Sequence, residues 1–308
     1  MSKEILVLGH KNPDTDSICS AIAYSALKNK TGANTVPIRL GEISKETEYV
    51  LEYFNMEKPR LQTNISGESV ILVDHNERTQ TADGFEEAKI LELVDHHRIS
   101  NFHTDEPLKV RMDIVGCTST LVFELYKEAG LTPEKNIAGL MLSAIVSDTL
   151  LFKSPTCTER DVKAAEELAV ISDTDLKKYG LDMLIAGTNL DDKTNEELLN
   201  MDMKVFEIDS LKLAVAQVST IDTDKLLTKK AELEKSISEF IAKENLDMFM
   251  FVITDILNNN SVALAAGSRA DIAEKAFEQT MNNGVLTLNG VVSRKKQIIP
   301  PLTKALQN

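Results

Sequence analysis

Apolar residues along this chain follow two rhythms, and the first half alternates between them. Ile5-Leu6-Val7-Leu8, Ser69-Val70-Ile71-Leu72-Val73 and Ile90-Leu91-Glu92-Leu93-Val94 are short, almost continuous apolar runs of the kind that buried parallel strands carry. Residues 35–40 supply a further strand. Between and after them the period lengthens to that of a helix, at 16–30, in a segment opening at Ser44, and at 119–129, 134–148 and 159–170. Gly130 followed by Pro133 marks a helix stop and restart. This alternation predicts an α/β domain over residues 1–187, a doubly wound parallel sheet with crossover helices.

The pattern then changes. Residues 188–195 are polar and lack apolar anchors, which predicts a linker. Beyond it, strands at 205–208, 213–219, 249–254 and 261–266, one long helix over 223–244 and a helix from about residue 270 predict a smaller α+β domain, 196–308. The Lys and Glu mix of the long helix reads as a solvated face. No internal repeat or low-complexity segment interrupts the chain.

A length of 308 residues with 43% hydrophobic and 27% charged residues is ordinary for a soluble globular protein. No apolar run approaches the roughly 20 residues of a membrane span. The start, Met1-Ser2-Lys3-Glu4, enters a strand without an apolar leader, and Cys19, Cys117 and Cys157 are odd in number and widely spaced. Reduced thiols and a cytoplasmic location are therefore expected. A net charge of −14 argues against nucleic acid or anionic membrane as partner. It leaves room for an anionic substrate held by locally concentrated basic groups.

The strand ends change the picture more than composition does. Gly9-His10-Lys11-Asn12-Pro13-Asp14-Thr15-Asp16-Ser17 leaves the first strand with one imidazole and two carboxylates, and Pro13 stiffens the loop and keeps Asn12 extended. Asp14 or Asp16 could also serve only as a cap for the helix that follows. The second apolar run ends in Asp74-His75-Asn76-Glu77 and the third in Asp95-His96-His97. The apolar helical segment 137–146 ends in Ser147-Asp148-Thr149. Ligand sites of open α/β sheets lie at the carboxyl ends of strands, so these hard and borderline donors together predict a metal centre.

In these motifs, and in Ser293-Arg294-Lys295-Lys296-Gln297, the chain resembles the family II inorganic pyrophosphatases. They are manganese-dependent members of the DHH phosphoesterase superfamily, named for the triplet seen here as Asp95-His96-His97. The match runs from the first strand almost to the C-terminus, in the family's order and spacing. The resemblance implies a DHH domain and a DHHA2-like domain with the active site in the cleft between them. It implies hydrolysis of inorganic pyrophosphate to two orthophosphates by a metal-bridged hydroxide. Asp74 and Asp148 would bridge two Mn²⁺, with Co²⁺ as a substitute; His10 and Asp14 complete one site, Asp16 and His96 the other. The catalytic part falls to Asp74, Asp148 and His97, and substrate binding to His97, Lys204, Arg294 and Lys295, with a further Mg²⁺ arriving with pyrophosphate. A homodimer through the N-terminal domain is implied too. The gaps between motifs are too short for the adenine-nucleotide-binding insert that some members carry. Carboxylates and imidazoles without thiolate independently favour Mn²⁺ or Co²⁺ over soft metals.

Two other readings remain open at this level. An exopolyphosphatase or short-nucleotide phosphodiesterase of the same superfamily would share the metal-binding half. The oligonucleotide-cleaving relatives usually carry a glycine-rich, histidine-containing signature where this chain has Ala265-Ala266-Gly267-Ser268. A catalytically silent metal-binding regulator would be expected to lack a ligand, and all six candidates are present. His75, next to a candidate ligand, could orient Asp74 or Asp148 and is given no assigned role. His103 and Lys296 read as exposed surface groups.

Overall fold

In the computed structural model, which describes residues 4–208 and 211–306, six parallel strands build the first sheet. They are β1 (Ile5–Leu8), β2 (Thr35–Arg39), β3 (Arg60–Leu61), β4 (Ser69–Val73), β5 (Lys89–Asp95) and β6 (Lys109–Met112). Their order is β3-β2-β1-β4-β5-β6, so the winding direction reverses between β1 and β4. β4 carries four buried apolar residues in succession, Val70 to Val73, because both faces of this sheet are covered. Each such side chain contributes about 1.5–3 kcal/mol by leaving water. The strands β3 and β6 were not expected: one is two residues long, and the other is a polar edge with Lys109 and Val110 exposed.

The helices of this unit are α1 (Thr15–Lys30), α2 (Lys45–Tyr53), α3 (Thr118–Glu128), α4 (Lys135–Asp148), α5 (Glu159–Ser172) and α6 (Leu176–Gly187). Ser44 caps α2 by accepting from the Thr47 amide, and a Thr158–Asp161 capping box opens α5. α4 is apolar all round, is buried from Ile137 to Val146, and packs against α1 and α5. On another side Gly139 admits the ring of Phe54, which ends α2, since a Cβ there would lie 2.1 Å from its Cε1. The unit spans Met1–Gly187.

The second unit, Thr188–Asn308, is built separately. It contains α7 (Asn195–Asn200), β7 (Lys204–Ile208), β8 (Leu211–Thr220), α8 (Thr223–Leu227), α9 (Lys230–Glu244), β9 (Met248–Asp255), β10 (Asn260–Ala266), α10 (Asp271–Phe277), β11 (Val285–Leu288) and α11 (Ile299–Leu306), with a π-helical turn over Arg294–Ile298. The sheet order is β11-β10-β9-β8-β7, with β8 and β9 parallel and the other pairs antiparallel. β9 is buried on both faces. Phe249, Phe251 and Ile253 pack with Leu233 and Ile237 of α9, while Met248, Met250 and Val252 pack with Ile272, Ile298 and Leu302. The single helix expected over 223–244 is in fact two. Thr228 Oγ1 donates to the Lys225 carbonyl at 2.6 Å and the Lys229 amide to that of Leu226 at 3.1 Å, and these three-residue bonds tighten the turn and end α8. No described helix is long and apolar enough to cross a membrane.

Candidate metal centre

The loop after β1 folds back on the first turn of α1. The His10 amide donates to Ser17 Oγ at 2.9 Å, an approach that leaves no room for a side chain at Gly9. Asp14 caps α1 through Oδ1, which accepts the Ser17 amide at 2.9 Å, while its Oδ2 lies 3.3 Å from His10 Nε2. One carboxylate thus caps the helix and faces the imidazole of its own loop. Across the switch point, Asp74 follows β4 with φ 59°, a left-handed conformation that Asp tolerates better than most residues. Its amide is held by the Val94 carbonyl at 2.9 Å.

Asp74 faces three imidazoles: His97 Nδ1 lies 3.7 Å from Oδ1, and the other two come from different motifs. Oδ2 is 3.5 Å from His10 Nε2, and Oδ1 is 3.5 Å from His96 Nε2. His96 lies just past β5 and turns its Nδ1 to the Val115 carbonyl at 3.0 Å. That bond places the proton on Nδ1 and aims the Nε2 lone pair at Asp74 and at Asp148, 3.9 Å away. Thr118 Oγ1 donates to Asp74 Oδ1 at 3.0 Å. Past Asp148 the backbone is left-handed at Leu150, Leu151 and Phe152, which ends α4 abruptly. The Leu151 amide bonds Val146 O at 2.9 Å and the Ser154 amide bonds Thr149 O at 2.8 Å, holding a turn that costs about 1–2 kcal/mol per residue.

Asp16 is fully buried and works across the chain. Its carboxylate accepts the Thr118 amide at 2.7 Å, the Ser119 amide at 3.1 Å and Ser20 Oγ at 2.6 Å, so a residue of α1 caps α3. Ligating atoms of Asp16, Cys117 and Asp148 lie within 4.8 Å of one another. A donor set free of sulfur was expected, and the Cys117 thiol lies beside it. Burial and the charges of Asp16 and Asp148 push its thiol well above its ordinary pKa, so it sits there as a neutral neighbour.

The electrostatics suit cations. Burial, followed by the charges of Asp16, Asp14 and Asp95, pushes Asp74 well above the ordinary carboxylate range. Burial with Asp16 and Asp74 does the same to Asp148. Asp74 Oδ2 is buried and accepts no hydrogen bond. Crowded carboxylates with an orphaned oxygen between two imidazoles fit a divalent metal.

Comparison with known proteins agrees with this geometry. The DHH family, N-terminal domain, matches residues 4–145, and the DHHA2 domain matches residues 181–305. The "Probable manganese-dependent inorganic pyrophosphatase" of Bacillus cereus strain AH187 is 55% identical over 307 residues, 99% of each chain. Its namesake in Bacillus licheniformis is 55% identical over 309 residues, covering all of both. The crystal structure of a Methanococcus jannaschii "putative family II inorganic pyrophosphatase" covers 99% of this chain and 100% of its own, at 38% identity and a TM-score of 0.62. The chain belongs to the family II inorganic pyrophosphatases.

The triplet residue His97 is half exposed and turns Nδ1 to Asp95 Oδ1 at 2.9 Å. Burial acts against Asp95, but hydrogen bonds from the His97 ring, the His97 amide and Asn76 hold its carboxyl below the usual range. Asn76 is itself fixed by the Arg98 carbonyl and the Ser100 amide. His97, His10, Asn12, Asp74, His75 and Arg98 line a cavity of about 360 Å³. His75, left without a role in the sequence, bonds the Val73 carbonyl through Nδ1 at 2.9 Å, and its buried Nε2 makes no hydrogen bond. His103 is exposed, as expected, with Arg78 at 2.7 Å.

In the second unit of this pyrophosphatase relative, Lys204 opens the edge strand β7 and is exposed. The basic run is split by its π-helical turn. Arg294 points inward, donating to Asp202 Oδ1 at 2.7 Å and to the Asp202 carbonyl, whereas Lys295 and Lys296 point outward. The Arg294 fork also approaches the carbonyl of Val215, the residue paired with Lys204. Sequence reasoning gave no part to Asp95, Asn76, Thr118 or Asp202. The first two lie in the motifs and could have been found there; the others act over separations of 44 and 92 residues that no local pattern reports.

Proposed function

We propose that this chain hydrolyses inorganic pyrophosphate to two orthophosphates at a centre of two Mn²⁺ shared by Asp74 and Asp148. The observation that carries the two-metal reading is Asp74, which offers opposite oxygens to His10 and His96. His10 and Asp14 hold one cation with the shared carboxylates, and Asp16 and His96 hold the other. Bound there, the cations supply Lewis acidity toward phosphoryl oxygens and lower the pKa of water at neutral pH, and Co²⁺ can replace Mn²⁺.

The protein's own groups bind and orient the anion. With Nδ1 committed to Asp95, His97 presents Nε2 as the group that meets a phosphate oxygen in the cavity. Lys204, Lys295 and Arg294 take the remaining charge, the guanidinium held by Asp202. A Mg²⁺ accompanies the substrate. The enzyme works in the cytoplasm, which its three free thiols support. It works as a homodimer through the N-terminal domain, where the open β6 edge exposes Val110 and, just beyond, Ile114.

The test is phosphate release from pyrophosphate and tripolyphosphate, and nucleotide release from a dinucleotide, with Mn²⁺ and Mg²⁺ supplied. Fast turnover of pyrophosphate alone is expected. Preference for tripolyphosphate would make the chain an exopolyphosphatase, and preference for the dinucleotide a phosphodiesterase. Mn²⁺ binding without hydrolysis of any of the three would make it a regulator.

A further inference from the structure

Glu46 is not one of the candidate metal ligands, yet it touches two of the motifs that supply them. It stands in the first turn of α2, and its Oε1 accepts from Thr15 Oγ1 at 2.6 Å and from Ser147 Oγ at 2.5 Å. Thr15 separates Asp14 from Asp16, and Ser147 precedes Asp148. One oxygen therefore ties the start of α1 to the end of α4, the two helix ends that bring carboxylates to the site from opposite directions. The tie is itself supported: Thr47 Oγ1 lies 3.1 Å from Thr15 Oγ1 and 3.0 Å from Ser44 Oγ, the α2 cap. On the far side of Glu46 comes Gly187, the last residue of α6. A Cβ there would approach Glu46 Cβ to 2.8 Å and Oε2 to 2.9 Å.

The alternative is that Thr15 and Ser147 are polar groups that needed any acceptor. Two features argue against that. Both hydroxyls use the same oxygen, which fixes their separation rather than satisfying each one locally, and a glycine keeps the opposite face of Glu46 free. We propose that Glu46 is a positioning residue that sets the distance between the α1 and α4 metal ligands, and that Gly187 is bare so that Glu46 can reach both. The inference rests on the metal-centre reading above. Partners one shell out from a metal typically change affinity by 10–100-fold when removed.

Mn²⁺ binding to the full-length protein, followed by electron paramagnetic resonance of free Mn²⁺, tests this apart from activity. Glu46→Ala should weaken Mn²⁺ binding on the order of tenfold, and Glu46→Gln, which keeps an oxygen acceptor, should recover most of it. Gly187→Ala carries the same question if Glu46→Ala fails to fold. Alanine is intrinsically the better helix former there, so a fall in Mn²⁺ affinity without a fall in unfolding temperature is the expected signature. Wild-type affinity in Glu46→Ala, equal losses in the Ala and Gln forms, or wild-type affinity in Gly187→Ala would overturn the proposal. Absence of Mn²⁺ binding by the wild-type protein would overturn the metal-centre reading instead.

Discussion

Asp74→Asn is the sharpest probe of the centre, because it changes charge and almost nothing else. Asn tolerates the left-handed backbone at this position. Its Oδ1 can still accept from Thr118, so the local fold survives. What is lost is the negative charge facing both His10 and His96. Two unit charges about 4 Å apart attract by about 4 kcal/mol at an effective dielectric of about 20. Water entering the gap recovers part of that, so the expected loss is on the order of a hundredfold in affinity at each of two sites. Without metal the sign reverses: Asp74 sits among Asp14, Asp16 and Asp95, so the chelator-treated Asn variant should be at least as stable as the wild type. Calorimetric Mn²⁺ titration should give two sites in the wild type and neither at the same concentrations in Asp74→Asn. His10→Ala should weaken one site only. A scan of unfolding temperature adds a second reading, since Mn²⁺ at about 100 times its dissociation constant stabilises by about 2.7 kcal/mol per site. If Asp74→Asn lost one site while keeping the other at full strength, the sharing of Asp74 between two cations would be refuted.

Strong chelation should abolish phosphate release, and Mn²⁺ or Co²⁺ should restore more of it than Mg²⁺, as a rate assay on metal-stripped protein would show. Asp95→Asn should leave Mn²⁺ binding intact and lower kcat on the order of a hundredfold, because a neutral amide holds the His97 ring more weakly and sets its own NH2 against the Asn76 donor; unchanged kcat would remove His97 from the chemistry. Arg294→Ala should reduce kcat and also unfold at lower temperature, since Asp202 loses its partner, whereas Lys296→Ala, exposed and two residues along the same turn, should do neither. Gly139→Ala should destabilise by about 1–3 kcal/mol in chemical denaturation despite the better helix propensity, because the new Cβ meets the Phe54 ring.

The two-domain α/β architecture was legible because the sheet announces itself in continuous apolar runs. β1 and β4 are buried beyond their first residues, and β5 buries Ile90, Leu93 and Val94. β3 and β6 escaped because an edge strand needs no buried face, and the break at Thr228 escaped because a hydroxyl bond inside an otherwise good helical pattern leaves the periodicity intact. The centre divides in the same way. Its donors end apolar segments and so stand out as chemistry. Their supports do not: Asp16 reaches Thr118, and Ser147 reaches Glu46, over more than a hundred residues. An acidic residue read locally as a ligand or a cap can cap a helix that sequence places elsewhere.

The bonds from Asp16 to the amides that open α3 set the order of events when this protein folds. They join residues 102 and 103 positions apart, and such closures are slow and come late. His10, Asp74, His96 and Asp148 meet only once β1, β4 and β5 lie side by side and α4 has docked. An unfolded chain offers a metal nothing better than isolated carboxylates and imidazoles. Manganese should therefore act after the folding barrier, leaving the refolding rate nearly unchanged and slowing unfolding by almost the whole of its stabilisation. For a cell, that makes the metal a determinant of how long each molecule lasts rather than of how quickly it is made.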